Sequence, residues 1–530
     1  MRMTRRIPSI LPVLALALAA RALRAQEPER ASFYLLLRGD TIFDEREART
    51  PTELSGEFRD RLRNVRFTYT AALSTSALVT HIDLRTYRAI GDTAGEPASF
   101  TIGGDSVVAK IGANAPAKIP SATDAVAILN PSVAFIEQIV VRAKAMGADP
   151  ASVTVFIIGG PQPFAGSVRR LGSDSVRVQY ASATMDLAVS PTGRVLGGVI
   201  PSQGIRIARG PALGSLRVDR PDYSAPANAP YVAEDVVVTT PGGLHLAGTL
   251  TIPRTRPSGK SPAIITITGS GPEDRDEQSG AVIGYRPFRE LADTLGRRGI
   301  AVLRLDDRGV GGSDAGPPSV TSADFANDIR AGIAYLRSRP EIDGNRIGIV
   351  GHSEGGIIAP MIAVGDPALR AIVLMAGSAS TGRAIIMEQN RYSIDSIARL
   401  RGPARDTTLA RAGRSVDSLG KLGGWMGFFL AYDPTTAARQ VKTPVLILQG
   451  ETDRQVPPAE AKLLADAIRS GGNRDVTVRM FPATNHLFLA DSSGAFTDVS
   501  GALRYTKLPS LHVRPEVLGA IADWLSDRLK

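Results

Sequence analysis

Arg346-Ile347-Gly348-Ile349-Val350, followed by Gly351-His352-Ser353-Glu354-Gly355, is the stretch on which the reading of this chain turns. The first five residues are a short apolar, β-branched run, and Gly356-Ile357-Ile358-Ala359 behind the serine reads as the opening turns of a buried helix. A G-x-S-x-G sequence between a strand and a helix suits a nucleophile elbow, a tight turn that lifts a serine hydroxyl over the end of a parallel sheet. Glycine is expected on both flanks, because a side chain there would meet the neighbouring strand and helix. The pattern occurs once, yet a chain with 53 glycines has many Gly-Ser turns. The residues downstream have to decide.

Around this stretch the chain alternates strand and helix. Two strands with a turn at Pro241-Gly242-Gly243 end at Ile252, and Ala263–Thr268, Ala301–Leu305, Ala371–Met375, Val445–Leu448 and Val476–Phe481 read as further strands. Helices are expected at Pro287–Arg298, Ser322–Arg337 and Pro515–Leu529. Near-continuous apolar strands alternating with helices predict a doubly wound, mostly parallel α/β sheet. A charged, helix-prone insertion at about 378–440 interrupts the alternation and reads as a helical cap over the strand ends.

A serine hydroxyl needs a base to take its proton and an acid to hold that base in the right tautomer. An elbow serine takes them in the chain order Ser, Asp, His, each on a loop at a strand's C-terminal end. Val445–Leu448 runs into Gln449-Gly450-Glu451-Thr452-Asp453, and Val476–Phe481 runs into Pro482-Ala483-Thr484-Asn485-His486. Of the five histidines, only His486 stands where the base belongs. Ser353, Asp453 and His486 are the candidate catalytic residues. Two backbone N–H groups must face the oxyanion of a tetrahedral intermediate. Glu354, directly after the serine, is one candidate; Ser270, in the Gly269-Ser270-Gly271-Pro272 loop, is the other. In the cap, Trp425-Met426-Gly427-Phe428-Phe429-Leu430 is the most apolar run, and Trp425, Phe428 and Phe429 are candidate walls of a substrate pocket.

Across roughly 235–530 these motifs resemble the α/β-hydrolase superfamily, especially bacterial serine carboxylesterases with an N-terminal accessory domain. The resemblance lies in Gly269–Asp276, Asp307-Arg308-Gly309-Val310-Gly311-Gly312-Ser313, Gly351–Gly356, Gly450–Val456 and Asn485-His486-Leu487-Phe488. It implies an acyl-enzyme mechanism on a small-molecule ester, with Asp307 and Arg308 as scaffold. It does not reach before residue 230. Serine peptidases share the triad, and an aminopeptidase would hold its substrate's ammonium with acids such as Glu388, Asp395, Asp406, Asp417 or Asp433. Peptidases of this fold usually carry a β-propeller in front, and no repeat at a blade's period of about 40–50 residues occurs here.

The region before residue 220 has a different texture. Val65–Thr70, His81–Tyr87 and Ser175–Tyr180 alternate apolar and polar residues, as half-buried antiparallel strands do. Pro131–Ala145 places Val133, Ile136, Ile139, Val140 and Ala143 on one helical face. The expectation is a β-rich accessory domain at 26–220 with one helix, a Pro-rich linker at 221–230 and a catalytic domain at 231–530. Residues 1–25 have a basic start, the apolar run Ile10–Ala20 and small residues at Ala22 and Ala25, the pattern of a signal peptide. Export is therefore expected, with a soluble product and no stable membrane span, since the apolar run is too short to cross a bilayer. Five arginines precede Gln26, so a chain starting there carries half of the formal charge of +10. With no basic–aromatic clustering, nucleic acid is an unexpected partner. The chain has no cysteine, which excludes disulfides and thiol catalysis. No cofactor signature and no metal-ligand spacing appears.

Overall fold

The computed structural model describes residues 28–529, apart from positions 38, 62–63, 77, 89–92, 113, 161, 182, 212, 218–220, 257–258, 279–281, 283, 318, 422 and 498–503. The expected signal peptide at 1–25 lies outside the described residues. The chain divides into two compact units. One comprises Met1–Phe58, Phe67–Thr86 and Glu96–Leu216; the other comprises Arg59–Arg66, Tyr87–Gly95 and Arg217–Lys530.

The first unit is one fifteen-stranded sheet, with edges at Ala117–Pro120 and Val126–Ile128. Antiparallel pairing dominates, and the first strand, Glu29–Leu37, sits mid-sheet between Asp40–Arg49 and Ile205–Arg209. Only the Val126–Ile128 edge joins its neighbour, Ala151–Ile157, in parallel among the registers described. The unit's α-helix, Val133–Met146, buries the apolar face expected of it. Its first N–H groups are met by the Glu45 carboxyl, 2.7 Å from the Val133 nitrogen, and Gly147 closes it in a left-handed turn at φ 70°.

The second unit holds eight strands: β1 (Tyr231–Thr239), β2 (His245–Pro253), β3 (Ser261–Ile267), β4 (Ala301–Leu305), β5 (Ile342–His352), β6 (Ala371–Met375), β7 (Val445–Gly450) and β8 (Val476–Phe481). Their spatial order is β1-β2-β4-β3-β5-β6-β7-β8. β2 runs antiparallel to both neighbours, and every pair from β4 to β8 is parallel. Consecutive residues sort into two cores, one on each face. Ile265, Ile349, Ile372 and Ile447 join one; Ile264, Val350, Val373 and Leu446 join the other. Burial on both faces is why these strands read as unbroken apolar runs.

Helices α1 (Pro287–Arg297), α2 (Ser322–Ser338), α3 (Glu354–Gly365), α7 (Ala459–Ser470) and α8 (Pro515–Arg528) accompany the sheet, and α4 (Gly382–Tyr392), α5 (Gly402–Gly420) and α6 (Gly424–Ala431) form the insertion between β6 and β7. Parallel register brings the C-terminal ends of β3, β5, β7 and β8 to one edge of the sheet, where a doubly wound fold places its ligands. Within this unit the segment before β1 is pinned down. Tyr223 donates its hydroxyl to Asp274 at 3.0 Å, the Arg275 guanidinium stacks 4.2 Å over its ring, and Arg289 holds the carbonyls of Asp222 and Ser224.

Candidate active site

β5 ends at His352, α3 starts at Glu354, and Ser353 between them adopts φ 52°, ψ −112°. A non-glycine residue held there costs on the order of 1–3 kcal/mol and persists only where its surroundings enforce it. The enforcement is visible in the flanking glycines. A Cβ on Gly351 would stand 2.2 Å from the Gly355 carbonyl oxygen, and one on Gly355 would stand 2.3 Å from that of Ile267. Both contacts are with backbone, so no side-chain adjustment relieves them. The Ser353 N–H donates to the Met375 carbonyl at 2.8 Å, fixing the turn on β6.

Three loops bring Ser353, His486 and Asp453 into one line. His486 Nε2 lies 3.1 Å from Ser353 Oγ, and His486 Nδ1 lies 2.8 Å from Asp453 Oδ2. Asp453 is fully buried but well solvated by the protein. Its Oδ1 accepts from the N–H groups of Gln455 and Val456 at 2.8 and 2.9 Å, and its Oδ2 accepts from Gln449 Nε2 at 2.9 Å. Donors that meet the ionised form keep a buried carboxylate charged, and a carboxylate on Nδ1 leaves Nε2 free to face the serine.

The loop after β3 carries the second candidate oxyanion donor. The Gly269 N–H is taken by Glu277 Oε1 at 2.8 Å and Glu273 Oε2 at 3.1 Å. No acceptor is recorded for the N–H of Ser270 or of Glu354 among the described residues, so these two amides remain for a ligand oxygen. Asp307 anchors the loop, accepting from Thr268 Oγ1 and the Glu273 N–H at 3.0 Å each, and Arg308 clasps Asp328 at 2.6 and 2.7 Å. The Glu354 side chain, behind its own amide, accepts from Ser322 Oγ at 2.6 Å and from Trp425 Nε1, with Ser270 adding a further hydrogen bond. Burial raises its pKa above the usual carboxylate range, and these donors oppose that rise.

A cavity of about 360 Å³ opens over Ser353 and His486. Trp425 and Phe429 line it, along with Ile357, Ile385 and Ile386. Phe428 does not. Trp425 and Phe429 are four residues apart on α6 and share a face, with rings stacked at 5.4 Å, whereas Phe428 falls on another face and stacks on Tyr432 at 5.2 Å. Of the three candidate aromatics, Trp425 and Phe429 face this cavity. The cavity's other side is acidic. Glu273, Glu277 and Glu354 line it, with neither lysine nor arginine among the described residues. Burial and the nearby Glu277 and Asp307 carboxyls push Glu273 well above the usual range. No three metal-ligating side chains are grouped together among the described residues.

Glu273, Glu277 and His352 are the site residues that the sequence left unremarked as such. The two glutamates sit within and just after the quoted Gly269–Asp276 motif, and His352 precedes the serine. Motif membership was the available signal; their pairing, across 75 residues for His352 and Glu277, was not.

A family model described as the alpha/beta hydrolase family matches residues 279–499. The strand order and elbow agree with it. The second unit has the α/β-hydrolase fold. Esterase EstD of Thermotoga maritima is 28% identical to this chain over 313 residues, covering 58% of this chain and 69% of that protein. An uncharacterized protein of Mycobacterium tuberculosis, Rv2307c, is 34% identical over 134 residues, 25% of this chain and 42% of its own. Among solved structures, the esterase Pf2001 of Pyrococcus furiosus aligns with TM-score 0.40 and 16% identity over 58% of this chain and 95% of that one.

Proposed function

We propose that the protein is an exported serine esterase that cleaves carboxylic esters through an acyl-enzyme. The observation that carries this reading is the position of His486, bonded to Ser353 Oγ through one ring nitrogen and to Asp453 through the other. In the first half-reaction Ser353 Oγ attacks the ester carbonyl carbon while His486 Nε2 takes its proton. The carbonyl oxygen becomes an oxyanion held by the N–H groups of Ser270 and Glu354. Collapse of the intermediate breaks the bond to the alcohol, which leaves with the proton from His486. Water then repeats the sequence on the acyl-serine and releases the acid. Asp453 keeps Nδ1 protonated and steadies the imidazolium formed at each step.

The description of the Thermotoga relative as an esterase supports the ester reading. So does the cap. The expected aminopeptidase would hold its substrate's ammonium with a cap carboxylate, and none of the five cap acids lines the cavity. Asp395 and Asp406 lie against Arg405, Asp417 against Arg383, Glu388 against Arg391, and Asp433 accepts from Thr435.

The test is purified protein against p-nitrophenyl esters of graded length, beside aminoacyl and peptidyl anilides, with labelling by a fluorophosphonate. Ester turnover, label on Ser353, and loss of both in a folded Ser353→Ala variant are expected. Undiminished turnover in that variant would refute the assignment.

A further inference from the structure

His352 has no step in the reaction written above, yet its ring is buried 5.0 Å from that of His486, centroid to centroid. Its Nε2 lies 3.0 Å from the His486 main-chain carbonyl oxygen, and its Nδ1 lies 2.7 Å from Glu277 Oε1. A carbonyl oxygen only accepts, so Nε2 carries a proton. Glu277 Oε1 already accepts from the Gly269 N–H at 2.8 Å, and an oxygen that takes a second donor there is best served by an ionised carboxyl. Both ring nitrogens then donate, and the pair is a buried imidazolium and carboxylate. Burial by itself lowers the His352 pKa, but the Glu277 charge and hydrogen bond outweigh it and leave the ring above the usual imidazole range.

The result is one line of hydrogen bonds: Gly269 N–H to Glu277, His352 to Glu277, and His352 to the His486 carbonyl. It joins three loops. Gly269 precedes Ser270, His352 precedes Ser353, and His486 is the proposed base. The neighbouring carbonyl of Leu487 is held separately by Tyr285 Oη at 2.9 Å, so the His486 loop is tied at two successive peptides. Glu277 sits at φ 58°, a left-handed conformation unfavourable for glutamate and characteristic of sites that impose their geometry.

We propose that Glu277 and His352 are positioning residues that lock the base-bearing loop and the oxyanion loop to the strand carrying Ser353. This rests on the reading of Ser353 and His486 as the reacting pair. Neither residue exchanges a proton with substrate. They set the His486–Ser353 distance and the aim of the Ser270 amide, and a displacement near 1 Å at such a point costs on the order of 100-fold in rate.

Glu277→Gln is the sharp test, because it keeps the shape and one acceptor but removes the charge that lets both His352 N–H groups donate. The neutral ring must then abandon either residue 277 or the His486 carbonyl. Expected for the full-length Glu277→Gln and His352→Leu proteins is a fall in kcat of about 10- to 100-fold on p-nitrophenyl acetate. KM stays within about threefold, and fluorophosphonate labelling slows in proportion. The double variant is expected to be no slower than the worse single one, since the two act as a unit. A residue serving stability alone would lower the unfolding midpoint without this split between kcat and KM. Wild-type kcat in a folded Glu277→Gln protein would overturn the proposal. If the variants do not fold, nitrogen-15 NMR of the wild-type histidines decides. Both His352 ring nitrogens protonated at pH 7 is the expected result, and an unprotonated Nε2 overturns the proposal. A wild-type protein that hydrolyses no ester would refute the esterase reading instead, leaving the NMR result to judge the clamp.

Discussion

Trp425 Nε1 donates to both carboxyl oxygens of Glu354, at 2.8 and 3.0 Å. The indole belongs to the cap and the carboxyl to the residue after Ser353, so one bond joins the roof of the cavity to the turn beneath it. Trp425→Phe keeps much of the apolar wall and the stack on Phe429 but leaves Glu354 one donor short. A buried group deprived of a partner costs about 1–3 kcal/mol. The expected outcome is a loss of that size in urea unfolding together with a raised KM on longer p-nitrophenyl esters. Wild-type values for both would show that the bond contributes nothing.

Asp453→Asn preserves the volume of the buried side chain while exchanging an acceptor for a donor. Asp453 Oδ2 receives both His486 Nδ1 and Gln449 Nε2. An amide NH2 at that position turns away both, and the imidazole is driven to the tautomer that points N–H at Ser353. Turnover is expected to fall by roughly 10³- to 10⁴-fold with near-normal KM, as when a triad acid is replaced by its amide. Steady-state kinetics on p-nitrophenyl acetate would check it; a loss under tenfold would assign the orienting role elsewhere.

The alignment of Ser353, His486 and Asp453 was legible because its grammar is local. Each candidate sits on the loop that follows an apolar strand, and such strands are recognisable when both faces are buried. Two things were not legible. The face of α6 that meets the cavity depends on the entry angle of a helix whose residues are apolar nearly all round, so Phe428 and Phe429 look alike in sequence. The His352–Glu277 pair joins an elbow to a loop far upstream, and no spacing rule connects them. In the first unit, single strands such as Ser175–Tyr180 showed through their alternation, whereas the placement of Glu29–Leu37 mid-sheet depends on long-range pairing.

On the esterase reading, the cavity lining is proposed to set a preference among esters. With Glu273, Glu277 and Glu354 on the wall, no lysine or arginine beside them among the described residues, and the His352 ring already paired with Glu277, an anionic acyl chain gains no free counter-charge there. p-Nitrophenyl hemisuccinate is expected to show kcat/KM at least about tenfold below that of the neutral valerate ester, equivalent to about 1.4 kcal/mol. Equal values would show that the substrate's chain does not meet these carboxyls.

Asp274 provides a pH signature of the folded state. Burial and the nearby Asp276 carboxyl raise its pKa from 3.8 to about 6. Between these values the folded chain holds a proton that the unfolded chain has released, so stability is highest at the acid end and falls as pH rises to about 6. The contribution should be on the order of 1–2 kcal/mol for this half-buried group. Asp274→Asn suits the site, since its oxygen can accept from the N–H groups of Asp276 and Gln278 while its NH2 donates to Tyr223 Oη. Urea unfolding from pH 4 to 8 should show a flatter profile in the variant. An unchanged slope would place the titration on another group.

The same tyrosine decides where a shortened chain can begin. Every residue proposed to act on substrate lies beyond residue 268, so we propose that residues 221–530 suffice for hydrolysis of a small activated ester. A chain starting at Tyr231 satisfies that requirement on paper but discards Tyr223 and the carbonyls of Asp222 and Ser224. Arg275 would lose the ring stacked beneath it, Asp274 a donor, and Arg289 two acceptors. A buried cation–π contact contributes about 2 kcal/mol and each hydrogen bond about 1 kcal/mol, a large part of the stability of an ordinary domain. The chain beginning at Pro221 is therefore expected to fold, by circular dichroism, and to turn over p-nitrophenyl acetate. The one beginning at Tyr231 should unfold at clearly lower urea. Equal stability of the two would show that residues 221–230 act only as a tether. A well-folded 221–530 chain without turnover would show that the first unit helps to build the active site.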